Sequence, residues 1–249
     1  MTGQNGGSQD RFLIVKTGSL DDVCVDITKR FGDSEHIFSH AAGIGLCDTS
    51  VVEVFKGECL PDGVCGFAGA FVTGSEAMVS HRSVWVERTA DWLRTALGKG
   101  LPLFGVCFGH QLLAYALGAQ VEPNPAGLEI GTIDVSFVGH EDDALFGTLP
   151  DKAKFHAIHH ETVAALPDGV RPLASSALDN CQAIRLGPYA WGVQFHPEYT
   201  AEMMRAIWSA SGPEIESGKS IDELLDDTPH GPALMRRFVA LARSRCTSD

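Results

Sequence analysis

The run LPLFGVCFGHQLLAYAL, residues 101–117, passes from one apolar segment into another with only a glycine-flanked cysteine between them. Leu101–Val106 reads as a strand buried on both faces, because a parallel sheet covered by helices gives continuous apolar runs rather than alternation. The residues from about Gly109 onward read as an apolar helix. A strand that turns directly into a helix lifts one side chain above the sheet edge, and the crowded, strained backbone there calls for small neighbours. Gly105 and Gly109 supply them around Cys107, in the spacing G-x-C-x-G-x-Q. At a helix N-terminus the backbone amides and the dipole favour a thiolate over a thiol. The N–H of Phe108, the residue after the cysteine, points to where an oxyanion would form. The competing reading, a cysteine that merely packs as a small apolar residue, does not explain the paired glycines.

Downstream, WGVQFHPE (Trp191–Glu198) reads as a strand running into a turn. Alternation puts Trp191, Val193 and Phe195 on one face and Gly192, Gln194 and His196 on the other. Pro197 fixes the backbone between His196 and Glu198, so the carboxylate can reach the ring nitrogen turned away from the cysteine. His is the side chain whose ordinary pKa suits both taking a thiol proton and returning it to a leaving amine. Cysteine, histidine and carboxylate together indicate acyl transfer through a thioester, not metal-assisted hydrolysis.

Around these motifs the chain alternates strand and helix candidates. Strands are expected at Arg11–Thr17, Val51–Phe55, Cys65–Val72, Ile130–Val138 and Cys181–Leu186, and helices at Val23–Phe31, Val84–Leu97, Thr200–Ser211 and Pro232–Arg245. Gly187–Pro188 reads as a hairpin turn between Cys181–Leu186 and a strand at Trp191–Phe195. The pattern implies a three-layer α/β/α domain with a mixed, largely parallel sheet, spanning residues 11–249 and ending in a C-terminal helical extension. Residues 1–10 are polar and Gly-rich, which reads as a flexible tail. The 209–229 stretch reads as a loop with a short helix, and its acidic run Ile221–Asp227 as a solvated helix face.

The formal net charge of −13 argues against a nucleic-acid partner. No apolar run approaches the roughly 20 residues of a membrane helix, so a cytoplasmic location away from membranes is expected. The seven cysteines form no C-x-x-C pair and fall mostly in apolar stretches, which implies free thiols and no zinc site. Ser217–Ser220 (SGKS) lacks the earlier glycine and the buried strand of a phosphate loop and reads as a polar turn.

GVCFGHQ and GVQFHPE, cysteine first, resemble the paired motifs of class I, triad-type glutamine amidotransferase domains, and the likeness extends over roughly residues 40–200. The chain is similar to stand-alone members of the GMP-synthase-like and γ-glutamyl-peptidase-like kinds. The resemblance implies a flavodoxin-like fold, no cofactor, and hydrolysis of the side-chain amide of L-glutamine through a γ-glutamyl thioester on Cys107, with His196 and Glu198 completing the triad. It also implies an oxyanion loop at Phe71–Ser75, where Gly74 would pair with Phe108 and Ser75 would adjoin the substrate, although many members carry Gly-Gly-Pro there. Gln111 would lie beside the substrate, and His160, in the segment HHET (His159–Thr162), would help hold its amino-acid end. Amidotransferases deliver ammonia to an acceptor, so a synthetase partner is implied. A γ-glutamyl peptidase and a catalytically silent regulatory domain remain as alternatives.

Overall fold

The computed structural model describes residues 11–212 and 220–246. Its strands are β1 (Arg11–Lys16), β2 (Thr49–Glu53), β3 (Phe67–Val72), β4 (Leu103–Val106), β5 (Gln120–Pro123), β6 (Glu129–Phe137), β7 (Lys152–His159), β8 (Glu161–Ala165), β9 (Pro172–Ser175), β10 (Ala183–Gly187) and β11 (Ala190–Val193). The α-helices are α1 (Val25–Phe31), α2 (Ser34–Ala42), α3 (Val84–Gly98), α4 (Phe108–Ala116), α5 (Ala201–Ser211) and α6 (His230–Cys246). Nine strands form one sheet in the order β2-β1-β3-β4-β11-β10-β9-β6-β7, and β5 pairs with β8 in a separate antiparallel ribbon.

The sheet is parallel from β2 to β11 and antiparallel from β11 to β7. The switch follows from connection length. β10 and β11 are joined by a turn too short for a crossover, whereas the βα connections before them are long enough to return each strand in the same sense. β4 lies between β3 and β11, so the chain leaves the carboxyl end of β4 at the middle of the sheet. Functional groups of open α/β sheets gather at that edge.

Helices cover both faces. Phe12, Ile14, Phe71, Phe104, Trp191 and Val193 point to one side and pack under α2 and α6, with Phe238 edge-on to Phe71 at 5.0 Å and stacked on Phe104 at 5.3 Å. Leu13, Val15, Ala70, Val72 and Leu103 point to the other side, against α3 and α4. Such completely buried strands stay in register because a slip of one residue would exchange the two faces. The third layer expected from the sequence is therefore present on each side of a largely parallel, mixed sheet.

Several expectations are corrected in detail. The last residues expected in β2 form a single turn of tighter helix, Val54–Lys56, and β3 and β4 each start two residues later than read. The acidic run is not a solvated helix face: Ile221–Glu223 is one short turn, the Leu224 carbonyl accepts from Thr132 N–H at 3.1 Å, and Leu225 is buried. Cys47, Cys59 and Cys65 are exposed rather than packed in apolar interior, since they sit in turns between elements. The six described cysteine side chains carry free thiols. The flexible tail expected at residues 1–10 lies outside the described residues, as do residues 217–219 of the SGKS string. No helix among the described residues is long and apolar enough to cross a membrane.

Candidate active site

Cys107 sits between β4 and α4 with φ 52° and ψ −108°, a region that side chains with a Cβ avoid. Holding it there costs about 1–3 kcal/mol, which the surrounding fold must offset. The two glycines have separate steric reasons. A Cβ on Gly105 would lie 2.4 Å from the Gly109 carbonyl oxygen, and one on Gly109 would lie 2.2 Å from the carbonyl oxygen of Val72. The elbow is pinned from below by the Cys107 N–H, which donates to the Val193 carbonyl at 2.8 Å. Phe108 is the first residue of α4 and stacks on Trp85 at 5.5 Å. Its N–H is one of the first-turn amides that have no partner inside a helix.

His196 lies just beyond β11, where its N–H donates to the His156 carbonyl at 2.7 Å. Its Nδ1 is 2.7 Å from Glu198 Oε1, and its Nε2 has no hydrogen-bond partner among the described residues. Trp191, Val193 and Phe195 share one apolar core, so the alternation holds, and His196 emerges on the side away from it. The Tyr199 ring lies parallel to the imidazole, 1° off plane at 4.2 Å, and fixes its tilt. Burial disfavours a charged ring, but the Glu198 carboxylate and the negative charge of a Cys107 thiolate outweigh it and raise the His196 pKa to about 10. The imidazolium is therefore the favoured form of His196 at neutral pH. Nearby His156 is held neutral, lowered to about 4 by burial and by the charge of His196.

Gly74 adjoins both groups. A Cβ there would be 3.1 Å from His196 Cε1 and 3.8 Å from Cys107 Cβ, so glycine keeps this approach open. The loop is tied to the end of β1: the Gly74 carbonyl lies 2.9 Å from the Thr17 hydroxyl and 3.2 Å from that of Thr73, and Ser75 Oγ donates to the Thr17 carbonyl at 2.7 Å. Thr73 and Ser75, the residues that depart from the common family pattern, thus hold the loop in place.

The segment His159–Thr162 is a tight strand connection rather than a loop, with His159 ending β7 and Glu161 starting β8. The two histidines differ in kind. His160 is exposed at the rim of the site, whereas His159 is buried, with Nε2 2.9 Å from Glu129 Oε2 and Nδ1 3.0 Å from the Glu161 carbonyl. Glu129 is also held by Ser176 and Gln182, each at 2.7 Å. Gln111 is buried and donates from Nε2 to the Glu161 carbonyl at 2.9 Å and to Gln194 at 3.0 Å. Glu161 Oε2 accepts from Val79 N–H at 2.8 Å, while Oε1, equally buried, has no hydrogen-bond partner among the described residues. Sequence reading missed Glu129, and from the segment His159–Thr162 it took His160 rather than His159 or Glu161. Alternation along β7, in which Ala153, Phe155, Ala157 and His159 are all buried, is the signal that would have separated His159 from His160.

Two cavities meet at Cys107. One, of about 220 Å³, is lined by Phe108, Gln111, His159, His160 and Glu161. The other, of about 40 Å³, is lined by Leu20, Gly74, His196, Glu198, Tyr199 and Ile207. Ser75, Glu76, Cys107 and Ile158 belong to both walls. A cysteine at a helix N-terminus, a carboxylate-oriented imidazole and adjacent backbone donors are the parts that acyl transfer requires.

A family model described as glutamine amidotransferase class-I matches residues 47–208, more than half of the chain and all of these elements from β3 to His196 and Glu198. This chain belongs to the class-I glutamine amidotransferase family. Among the relatives of this family member, a glutamine-hydrolyzing GMP synthase subunit from Ignicoccus hospitalis is 41% identical over 99 residues, covering 39% of this chain and 50% of that protein. The corresponding GMP synthase subunit from Methanocaldococcus jannaschii is 31% identical over 137 residues, covering 53% and 71%. The GMP synthase of Porphyromonas gingivalis is 33% identical over 147 residues, covering 59% of this chain and 28% of that protein. The chain thus spans about half, or less, of the length of several of these relatives. A solved glutamine amidotransferase structure from Thermotoga maritima superposes with a TM-score of 0.70 at 22% identity, covering 93% of this chain and 97% of that one, which establishes the shared α/β fold.

Proposed function

We propose that this amidotransferase domain hydrolyses the side-chain amide of L-glutamine and passes the ammonia to an acceptor activated by a synthetase partner, the arrangement that the names of the GMP synthase relatives favour. The observation that carries the reading is the ordered pair His196–Glu198, 2.7 Å apart, with the same imidazole interacting with the Cys107 side chain.

The Cys107 thiolate attacks the amide carbon, and the carbonyl oxygen becomes an oxyanion. Phe108 N–H is one donor to it. The hydroxyls of Thr17 and Thr73 draw the Gly74 carbonyl toward β1. The loop backbone at Gly74, where an added Cβ would stand 3.8 Å from Cys107 Cβ, supplies the second donor. The His196 imidazolium then protonates the amide nitrogen, the C–N bond breaks and ammonia leaves a γ-glutamyl thioester. Water, deprotonated by the now neutral His196, attacks the thioester, releasing glutamate and restoring the thiolate. Glu198 holds the tautomer throughout. The glutamyl group occupies the larger cavity. Among the described residues lining that cavity none is Lys or Arg, and the unpaired Oε1 of Glu161 is suited to the α-ammonium. Gln111 acts through the Glu161 backbone, positioning that wall, and His160 borders the entrance.

Ammonia release from glutamine by the purified protein, measured alone and with candidate synthetases, tests the reading. The wild type is expected to turn over and Cys107→Ala to lose all activity; a Cys107→Ala protein as active as wild type would overturn it.

A further inference from the structure

His159 and Glu129 form a buried pair that the chemistry at Cys107 does not use. They stand directly opposite each other on β7 and β6, at 4% and 3% exposed. Opposite residues on paired strands bring their side chains within reach, and His159 Nε2 lies 2.9 Å from Glu129 Oε2. The other ring nitrogen, Nδ1, lies 3.0 Å from the Glu161 carbonyl oxygen. A carbonyl oxygen only accepts, so Nδ1 carries a hydrogen and donates it there. Asp179 Oδ2 comes no nearer to Nδ1 than 3.9 Å, too far to take that hydrogen instead.

Two donors meet on the Glu161 carbonyl, since Gln111 Nε2, from α4, reaches the same oxygen at 2.9 Å. The Glu161 carboxylate is fixed by a third contact, Val79 N–H to Oε2 at 2.8 Å, which leaves Oε1 as the oxygen without a partner among the described residues. Ile158, next to His159 in the chain, has its carbonyl 3.7 Å from Cys107 Sγ. The cavity wall and the nucleophile are thus set from adjoining residues. Glu129 is also held from elsewhere: Gln182 donates to Oε2 and Ser176 to Oε1, each at 2.7 Å. It keeps those partners if the ring is removed. A buried polar network with every tie made holds one geometry, and cutting a tie lets the turn it braces shift.

Resting on the glutaminase reading, we propose that His159, braced by Glu129, is a positioning residue for glutamine recognition: its Nδ1–H clasps the Glu161 carbonyl and so sets the carboxylate that receives the α-ammonium. It acts through Glu161 and not on the reacting atoms. Loss of the clasp therefore weakens glutamine binding and leaves the Cys107–His196–Glu198 chemistry in place, which reads as a rise in KM with little change in kcat.

Three substitutions separate the two ring nitrogens. His159→Ala removes both. In His159→Asn the amide nitrogen falls where Nδ1 was and still donates to the Glu161 carbonyl, whereas in His159→Gln it falls where Nε2 was and reaches only Glu129. Glutamine KM is expected to rise about three- to tenfold in His159→Ala and His159→Gln, as for one lost hydrogen bond, with kcat within about twofold of wild type. His159→Asn should recover most of that loss. Beside Glu161→Gln, where the ammonium's partner is already gone, the His159→Gln effect should shrink to below about twofold, because the two residues act as one unit. A histidine that merely fills the polar interior predicts the reverse order, with glutamine, closer to it in volume, milder than asparagine and with kcat damaged alongside KM. That order would overturn the proposal, as would a His159→Gln effect undiminished beside Glu161→Gln or a KM indifferent to all three substitutions. Should the alanine protein fail to fold, the comparison of His159→Asn with His159→Gln decides. A wild type that releases no glutamate from glutamine would instead refute the glutaminase reading itself, and the clasp's role with it.

Discussion

Replacing Gly109 by alanine tests whether the cysteine elbow is dictated by steric fit. The added Cβ would stand 2.2 Å from the Val72 carbonyl oxygen and 2.7 Å from its carbon, where ordinary contacts begin near 3.4 Å. Both sides of the clash are backbone, the start of α4 and the end of β3, so no side chain can swing aside; one of them must retreat by roughly 1 Å. Overpacking of this kind costs about 1–3 kcal/mol, and the upper end applies where neither partner is flexible. For a chain of this size about 3 kcal/mol lowers Tm by roughly 6–12 °C. The displaced elbow also carries Cys107 and the Phe108 N–H away from the reacting carbon, and a misplacement near 1 Å costs about a hundredfold in kcat. Gly98→Ala is the control. That glycine ends α3 with nothing within 4 Å of its added Cβ, so alanine should raise Tm slightly, by up to about 4 °C, through helix propensity alone. Calorimetry of both variants with a glutaminase assay decides the matter. A Gly109→Ala protein within about 2 °C of wild type and fully active would refute the steric account.

Three further outcomes follow from the charges. Glu198 raises the His196 pKa, and burial opposes it. In Glu198→Gln the imidazolium should lose its proton at lower pH, moving the alkaline limb of the kcat/KM profile down by about 1–3 units; an unmoved limb would contradict the pairing. Because the folded pKa is raised, the stabilisation from charged His196 is complete below the ordinary value of 6.5 and is lost as pH climbs through about 10. The gap in thermal stability between wild type and Glu198→Gln should therefore narrow across that window. For Glu161→Gln, the glutamine KM should rise about ten- to a hundredfold while the desamino analogue of glutamine, a poor substrate for both proteins, is unaffected; equal losses on both substrates would remove Glu161 from ammonium recognition.

The elbow and the histidine strand were legible because each obeys a local rule. Residues 101–106 are apolar on both faces, glycines bracket one cysteine, and Trp191, Val193 and Phe195 alternate. Other elements hid behind their composition. β7 reads KAKFHAIH, whose buried face is built from two alanines, Phe155 and His159, so its hydrophobic signal is faint although its period is correct. α2 carries two histidines among its nine residues, but Asp33 as N-cap and left-handed Gly43 as terminator bracket it in the sequence. The polar floor beneath the substrate cavity was not legible at all. Glu129 reaches His159 across 30 residues and Gln182 across 53, contacts that exist only once β6, β7 and β10 share a sheet. For the same reason the sequence points to His160 rather than His159: side by side in the chain, they separate only when strand alternation sends one inward.

That glutamine is opened by Cys107 through a thioester is tested most directly by rapid acid quench of the protein during turnover of glutamine, followed by intact-mass and peptide analysis. The expected result is an added mass equal to glutamine less ammonia, located on Cys107, released by hydroxylamine and absent from Cys107→Ser. Turnover of glutamine with no such adduct on Cys107, or with an undiminished rate in Cys107→Ser, would contradict the thioester route.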